Sequence, residues 1–368
     1  MPSRSEYMAL ALREAKRGRG RTSPNPMVGC VIVRRGEVVG VGHHSRVGAA
    51  HAEIAALRRA GPEARGADVY VNLEPCDHEG RTGPCTEALI QAKVRRVVVG
   101  IKDPNPLVNG RGLRRLRRAG IVVETGVLAD ECRHLNEAFE LAMRRSRPLV
   151  VAKIAQSLDG RVATRQGESQ WITGAKARQA GHRLRNELDA IVVGVGTVLA
   201  DDPRLTCRVR GGRDPIRIIL DTHARTSPRA NVVRASKRSK APTWIFVGPE
   251  ASSRRRAALE RAGAQVTATR LKGGRIALLP LLETLHQRQL VSLLVEGGPS
   301  VLGSFFDAER VDKIHAFVAP MVIGGTDALS SVGARGVAQL RNSSRLQRVQ
   351  FERLGDDLHI VGYVPNRS

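Results

Sequence analysis

Along the first third of the chain, apolar and polar positions switch repeatedly between a period of two and a period near 3.6. "MVGCVIVRRGEVVGVGHH" reads as two β-rich runs around an Arg35-Gly36 turn, which predicts a hairpin. "HAEIAALRRAG" follows with helical spacing, Ile54 and Leu57 marking its apolar face and Gly61 its stop. "ADVYVNLE" then reads as a strand, "PCTEALIQAK" as a helix, "VRRVVVGI" as a strand, "RGLRRLRRAG" as a helix and "IVVETGV" as a strand. Such alternation predicts an α/β sheet with helices on both faces.

At "MRRSRPLVV" a helical pattern ends in basic residues and a proline before a new apolar run, so a boundary is placed near Arg147, giving units 1–146 and 147–368. Beyond it, "PLVVAKIA", "DAIVVGVGTV", "PIRIILD", "TWIFVG", "SLLVEGG" and "KIHAFVAP" are buried-strand candidates separated by helical or loop signals, which predicts a second α/β domain. No short-period repeat is visible, and only the basic stretch Ser236–Lys240 has a composition that permits disorder.

Composition agrees with this division: 368 residues at about 150 per domain suggest two, and 42% apolar content is enough for two cores. Charge adds a complication. Sixty Lys and Arg against 35 Asp and Glu leave +25, which invites a nucleic-acid reading. The basic residues are scattered, however, and aromatics that stack on bases make up only 3%, so an arginine-rich solvated surface is the preferred reading. The N-terminal twenty residues carry charge on both sides of a short apolar patch, unlike a secretory signal. No run approaches the roughly 18 apolar residues of a membrane span. The expectation is a cytoplasmic protein with reduced thiols and no membrane partner.

Two of the five cysteines stand in "NLEPCDHEGRTGPC", each directly behind a proline in a loop poor in apolar residues. A disulfide, incidental packing and a metal site compete as explanations, and a reducing compartment weighs against the first. Twenty-five residues before Cys76, "HAE" supplies what a catalytic zinc needs. His51, Cys76 and Cys85 make three ligands and leave the fourth position for water. Glu53 then stands close enough to exchange protons with that water without being a ligand. H-x-E followed by P-C and a second Cys marks zinc-dependent deaminases, and the C-x8-C gap here differs from the C-x-x-C of base-editing branches. Cys30, Cys132 and Cys207 have no such partners and read as core or surface residues.

Longer motifs carry a resemblance. "TSPNPMVGCVIV", "HSRVGAAHAE", "LEPCDHEGRTGPC" and "DPNPLVNGRG" are similar to the deaminase half of the bifunctional riboflavin-biosynthesis deaminase/reductase family. "KIAQSLDGRVAT", "GESQWITG", "LRNELDAIVVGVGTVLADDPRLTCR" and "LVEGGPSVLGSFF" resemble its reductase half. The family implies a three-layer cytidine-deaminase-like domain followed by a dihydrofolate-reductase-like α/β domain, with Zn2+ and NADPH as cofactors. It also implies a phosphoribosylaminopyrimidine substrate, no nucleic acid, and a homo-oligomer through the C-terminal domain. A base-editing deaminase with a basic RNA-binding second domain is the alternative.

Carried onto matching positions, the resemblance places Asn25 and His44 on the pyrimidine and His78, Arg81, Asp103 and Asn105 at the ribose phosphate. In the second half it places Ser169, Arg185, Leu205, Arg208 and Glu296 on substrate, the two arginines as a phosphate clamp. Ala155, Trp171, Thr197, Asp201, Thr222 and the run Gly298, Pro299, Ser300, Val301, Leu302, Gly303 and Ser304 would contact NADPH. Lys153 is a candidate for assisting ribose opening or protonation. "VGVGTVLADD" fails the G-x-G-x-x-G fingerprint, whereas "EGGPSVLGS" follows a strand and can open a helix whose N–H groups cradle phosphate. Asp77 and Gly83 depart from common family residues in the cysteine loop, which bears on substrate positioning there.

Overall fold

The protein is described by a computed structural model covering residues 2–78, 83–106 and 108–365. Two compact units result, Met1–Arg147 and Pro148–Ser368.

In unit 1, β1 (Gly29–Arg34) and β2 (Glu37–His43) form the hairpin, turning at Arg35 and Gly36 with φ of 52° and 88°. Positive φ at both central residues matches the right-handed twist of the flanking strands. β3 (Asp68–Leu73), β4 (Arg96–Ile101) and β5 (Val122–Thr125) complete a sheet of order β2-β1-β3-β4-β5, parallel from β3 to β5. Helix α1 (Arg4–Lys16) covers one face and packs beside α5 (Ala129–Leu135). α2 (Ala52–Ala60), α3 (Cys85–Gln91) and α4 (Arg111–Arg118) cover the other, with α6 (Glu137–Arg145) closing the unit. Both sheet faces are therefore buried. Cys30 and Ile32 enter the core beneath α2, while Val31 and Val33 enter the core beneath α1.

Two local features differ from expectation. The apolar face of α2 is Ala52, Ala56 and Ala60, with Ile54 and Leu57 only half-buried. The reason lies across the interface, where a Cβ on Gly42 would come within 2.3 Å of Ala52 O and one on Gly40 within 2.5 Å of Ala56 O. Glycine on β2 and alanine on α2 bring helix and sheet together more closely than a leucine face allows. α1, which the hydrophobic pattern left unassigned, is fixed by a reciprocal Ser3–Glu6 capping box and buries Tyr7, Met8, Ala11, Leu12 and Ala15.

Unit 2 contains β6 (Leu149–Ser157), α7 (Ala175–Glu187), β7 (Ala190–Gly194), α8 (Val195–Asp201), β8 (Ile216–Leu220), α9 (Asn231–Ala235), β9 (Thr243–Val247), α10 (Ser253–Arg261) and β10 (Gln265–Ala268). There follow β11 (Leu271–Lys272), β12 (Arg275–Ile276), α11 (Leu278–Gln287), β13 (Ser292–Val295), α12 (Pro299–Asp307), β14 (Lys313–Ala319), β15 (Gln347–Leu354) and β16 (Asp357–Tyr363). The main sheet runs β10-β9-β8-β7-β13-β6-β14-β16-β15, parallel as far as β14 and antiparallel thereafter. "DAIVVGVGTV", expected as one strand, ends as a strand at Gly194, which caps α8. A Cβ at Gly194 would lie 2.7 Å from Val301 Cγ2, so glycine here serves close packing onto α12. Ser236–Lys240 winds into turns after α9, with Ser236 Oγ donating to Val233 O at 2.6 Å.

Candidate functional site

Helix starts assemble the site of unit 1. His51 is the N-cap of α2 and Cys85 the first residue of α3, while Cys76 lies in the loop leaving β3. His51 Nδ1 is 3.3 Å from Cys85 Sγ and 3.5 Å from Cys76 Sγ, and the three ligand atoms lie within 4.8 Å of one another. A tetrahedral zinc bonded to one nitrogen and two sulfurs spans ligand edges of roughly 3.6–3.8 Å, so this donor set fits the ion. The thiols share one negative charge. Hydrogen bonds from Cys85 and His51 hold the Cys76 thiol down at about 4, while facing that thiolate, together with burial, pushes Cys85 up.

Glu53, the second residue of α2, is 3% exposed. Burial, reinforced by the Cys76 charge, pushes its carboxyl up to about 7. That is the range in which a carboxyl can both take and return a proton.

The cavity beside it measures about 210 Å³ and is lined by Asn25, His44, His51, Glu53, Cys76, His78, Asp103 and Asn105 among others. The structure thus brings together every described residue that was expected on the pyrimidine and the ribose phosphate; Arg81 lies outside the described residues. Asn25 Nδ2 stands 3.1 Å from His44 Nε2, and His44 Nδ1 stands 3.3 Å from Ala50 O. Burial pushes the His44 imidazole down, so it is neutral and can accept from Asn25 while donating to Ala50. Burial also raises Asp103 to about 6, opposed by the Asn105 N–H it accepts at 2.8 Å.

Two carboxylates outside the expected set of site residues, Glu74 and the Asp77 noted above only as a departure from the family pattern, hold this floor in place. Glu74, 3% exposed, accepts from the backbone N–H groups of Asp103, Gly110 and Leu113 at 3.2, 2.9 and 3.3 Å. A carboxylate closing the apolar strand "VYVNLE" was the available signal. Asp77 accepts from Thr86 Oγ1 at 2.7 Å and Arg115 Nη1 at 2.9 Å, tying the residue after Cys76 to the one after Cys85.

Unit 2 holds a larger cavity of about 1130 Å³, lined by Lys153, Trp171, His182, Arg185, Thr197, Asp201, Leu205, Arg208 and Glu296 among others. Glu296, at the end of β13, meets Arg185 in a two-pronged pair (Nε–Oε1 2.9 Å, Nη2–Oε2 2.8 Å) and Lys153 Nζ at 3.7 Å. Burial alone would raise this carboxyl, but the two cations win and hold it at about 2. Arg185 gives its remaining Nη1 to Thr206 O at 3.1 Å. The guanidinium fork expected to clamp phosphate together with Arg208 is therefore already engaged within the protein. His182, which the sequence reading passed over, also faces this cavity.

Ala155, Ser169, Thr222 and Gly298–Ser304 are not among the residues lining it. Within that run, Gly298 N donates to Thr197 Oγ1 at 3.2 Å, joining the cap of α12 to α8. Leu302 is buried in the hydrophobic core, and a Cβ on Gly303 would meet Gly333 O at 2.1 Å. Both offer a ligand backbone alone. The cavity has room and is lined by Lys153, Arg178, Arg183, Arg204, Arg208 and Arg210, so its donor set fits a phosphate-bearing cofactor.

Fold and site together define a two-part enzyme: a zinc-dependent hydrolytic deaminase in unit 1 and a nucleotide-dependent reductase in unit 2. Comparison with known proteins makes this specific. A model described as the cytidine and deoxycytidylate deaminase zinc-binding region matches residues 1–101, and one described as the RibD C-terminal domain matches residues 148–360. The riboflavin biosynthesis protein RibD of Bacillus amyloliquefaciens is 42% identical over 356 residues, covering 96% of this chain and 95% of its own. That of Escherichia coli is 42% identical over 374 residues, covering 97% and 98%. The structure of Acinetobacter baumannii RibD superposes with a TM-score of 0.89 at 36% identity, covering 99% of both chains. The diaminohydroxyphosphoribosylaminopyrimidine deaminase/5-amino-6-(5-phosphoribosylamino)uracil reductase of Thermotoga maritima gives 0.86 at 34% identity, covering 98% of this chain and 99% of its own.

The chain belongs to the RibD family of riboflavin biosynthesis proteins. It is a bifunctional deaminase and reductase, and the base-editing alternative finds no support among these relatives. No helix among the described residues is long and apolar enough to cross a membrane.

Proposed function

We propose that the enzyme deaminates a diaminopyrimidinone bearing a phosphoribosylamino group in unit 1 and reduces its ribosyl chain to ribityl in unit 2; the Thermotoga relative's name carries a deaminase and a reductase of such compounds. The observation that carries this reading is the convergence of His51, Cys76 and Cys85 beside the buried Glu53. Zinc, when bound by these three residues, supplies a Lewis acid that makes water nucleophilic near neutral pH. Glu53 takes the proton released as the amino-bearing carbon is attacked, passes it to the ring nitrogen, and delivers a second to departing ammonia. Asn25 and His44 orient the ring, and His78, Asp103 and Asn105 hold the ribosyl end, with Arg81 as a further phosphate contact.

In unit 2, NADPH, when bound, would supply the hydride for the anomeric carbon, whose bond to the ring oxygen is the one to be opened. Lys153, held against Glu296, gives the released ring oxygen its proton. Ser169, Leu205 and Arg208 position the substrate. Ala155, Trp171, Thr197, Asp201, Thr222 and Gly298–Ser304 meet the cofactor. A cytoplasmic location suits five free cysteines. Assembly of copies through unit 2 suits the edge strand β15, where Phe351 is 68% exposed.

The test is a coupled assay of wild type and Cys76→Ala with zinc analysis of both. Wild type should bind zinc stoichiometrically, release ammonia from the diamino compound and then consume NADPH. Cys76→Ala should lose zinc and at least about a hundredfold of ammonia release, yet consume NADPH when given the deaminated compound. Ammonia release by a zinc-free wild type would sink the proposal.

A further inference from the structure

One titratable side chain in the reductase cavity has no use in the reading above. His182 lies on α7 between Arg178 and Arg185, and these three residues, at i, i+4 and i+7 of one helix face, all line the cavity. The neighbouring turn packs close to the floor: a Cβ on Gly181 would lie 3.8 Å from Lys153 Cε. Arg178 is occupied, donating to Thr173 O at 2.6 Å and stacking 4.7 Å over the Trp171 ring. Arg185 is occupied by Glu296 and Thr206. His182 uses only its backbone carbonyl, which accepts from Cys207 Sγ at 3.5 Å.

Its ring nitrogens differ in surroundings. Nδ1 is buried and has no hydrogen-bond partner among the described residues. Nε2 also has no hydrogen-bond partner among the described residues, yet it is absent from the buried unsatisfied atoms, so it is the nitrogen that reaches the open cavity. A buried N–H without an acceptor is rarer and costlier than a buried lone pair. The proton of the neutral ring therefore sits on Nε2 and points into the cavity. Charging the ring would put an unpartnered N–H at Nδ1 beside Arg185, Arg208 and Lys153, and burial together with these cations indeed pushes the imidazole down. The ring is a fixed, uncharged donor.

Beside it, Glu296 presents acceptors and Lys153 a donor. A cation at this position would suit a phosphate, whereas a neutral donor next to a satisfied ion pair suits an oxygen that carries no full charge. We infer that His182 is a substrate-binding residue of the reductase, donating from Nε2 to a hydroxyl or ring oxygen of the substrate's ribosyl chain and aligning its anomeric carbon for hydride. This rests on the proposed reductase reaction, and the experiment separates the two.

His182→Leu removes the donor and the orphaned Nδ1 together, whereas His182→Gln restores an N–H near the Nε2 position. His182→Leu should lower kcat/KM for the deaminated substrate about three- to tenfold, the worth of one hydrogen bond, with KM for NADPH unchanged. His182→Gln should stay within about twofold of wild type, and the thermal midpoint of His182→Leu should equal or exceed that of wild type because a buried unsatisfied atom is gone. A second readout needs no turnover. Ribose 5-phosphate, titrated against fluorescence of the cavity-lining Trp171, should bind His182→Leu more weakly than wild type or His182→Gln by the same factor. Wild-type kinetics in His182→Leu, equal losses in both variants, or a fall in midpoint that parallels the loss would each overturn the inference. Should wild type fail to oxidise NADPH while the ribose 5-phosphate series holds, the reductase reading falls and with it the alignment for hydride, whereas the hydrogen bond from His182 to a ribosyl oxygen stands.

Discussion

Two glutamates, Glu53 in unit 1 and Glu296 in unit 2, are both almost wholly buried, and their proton affinities move in opposite directions. Glu53 is pushed up to about 7 and Glu296 is held at about 2. Burial disfavours the charged carboxylate equally in kind at both places. What differs is the company. Glu53 faces a thiolate, so its environment adds to the desolvation cost; Glu296 faces a guanidinium and an ammonium, which more than offset it. A carboxyl near 7 can carry protons, whereas one near 2 is a permanent anion that orders cations around a ligand. The first site is built to move protons and the second to hold shape, as expected where a cofactor brings the hydride.

The widest separation between the two should come from Glu53→Gln. An amide of the same shape cannot carry the proton, so ammonia release should fall by about 10²–10⁴ while zinc content stays stoichiometric. NADPH oxidation with the deaminated compound should be unchanged. A variant retaining deamination within tenfold of wild type would show that Glu53 is not the proton carrier.

Glu296→Gln should do the converse. Arg185 and Lys153 would remain at the cavity floor without a counter-charge, and breaking such a pair costs about 3 kcal/mol or more. The loss can be read by urea unfolding through tryptophan fluorescence, because both tryptophans, Trp171 and Trp244, belong to unit 2. Replacing both Glu296 and Arg185 by apolar residues should recover much of the stability without recovering NADPH oxidation, while ammonia release stays at the wild-type rate throughout. If Glu296→Gln unfolds like wild type, the ion pair does not hold the cavity together.

The same contrast explains what could be read from the sequence. Deaminase ligands come in short motifs because helix starts present them: His51 and Glu53 share α2, and Cys76 and Cys85 flank one loop. Hydrophobic spacing located β1 to β9, β13 and β14, most of them β-branched runs with buried residues, and missed β10, β11, β12, β15 and β16, most of which are short or exposed. It misjudged α2, where Ile54 and Leu57 look like a core face but Gly40 and Gly42 admit only the alanines. Such a close approach is a property of two elements jointly. The pairing of Arg185 with Glu296, separated by 111 residues, likewise has no local signature, which is why Arg185 read as a free phosphate clamp. For α1 and Glu74 the signals were present, a Ser-x-x-Glu cap and a carboxylate ending an apolar strand. The hairpin of β15 and β16 was also visible in principle, as alternating residues about Gly355.

The smallest effect concerns a third kind of buried titratable group, neither proton carrier nor counter-ion. His315 on β14 and His359 on β16 lie with Nδ1 and Nε2 3.1 Å apart, and the His359 ring stacks on Phe317 at 4.3 Å. Burial, aided by the Lys313 charge, pushes His315 down to about 3, and burial also lowers His359, against the pull of Glu352. Both are neutral in the folded protein but bind protons once unfolded, below their ordinary value of about 6.5. Stability is therefore complete above that value and is lost as pH falls toward 3, at about 1.4 kcal/mol per pH unit for each histidine that stays neutral. Glu296 contributes in a lower window, because its depressed carboxyl loses its advantage only below about pH 4.3. Between pH 6 and 4.5 the histidines act without it. His315→Gln, which keeps a partner for His359 but cannot bind a proton there, should flatten the pH dependence of unit 2 unfolding in that interval by about one proton's worth. An unchanged slope would mean that His315 takes up its proton in the folded state, and that β14 and β16 tolerate a charge between them.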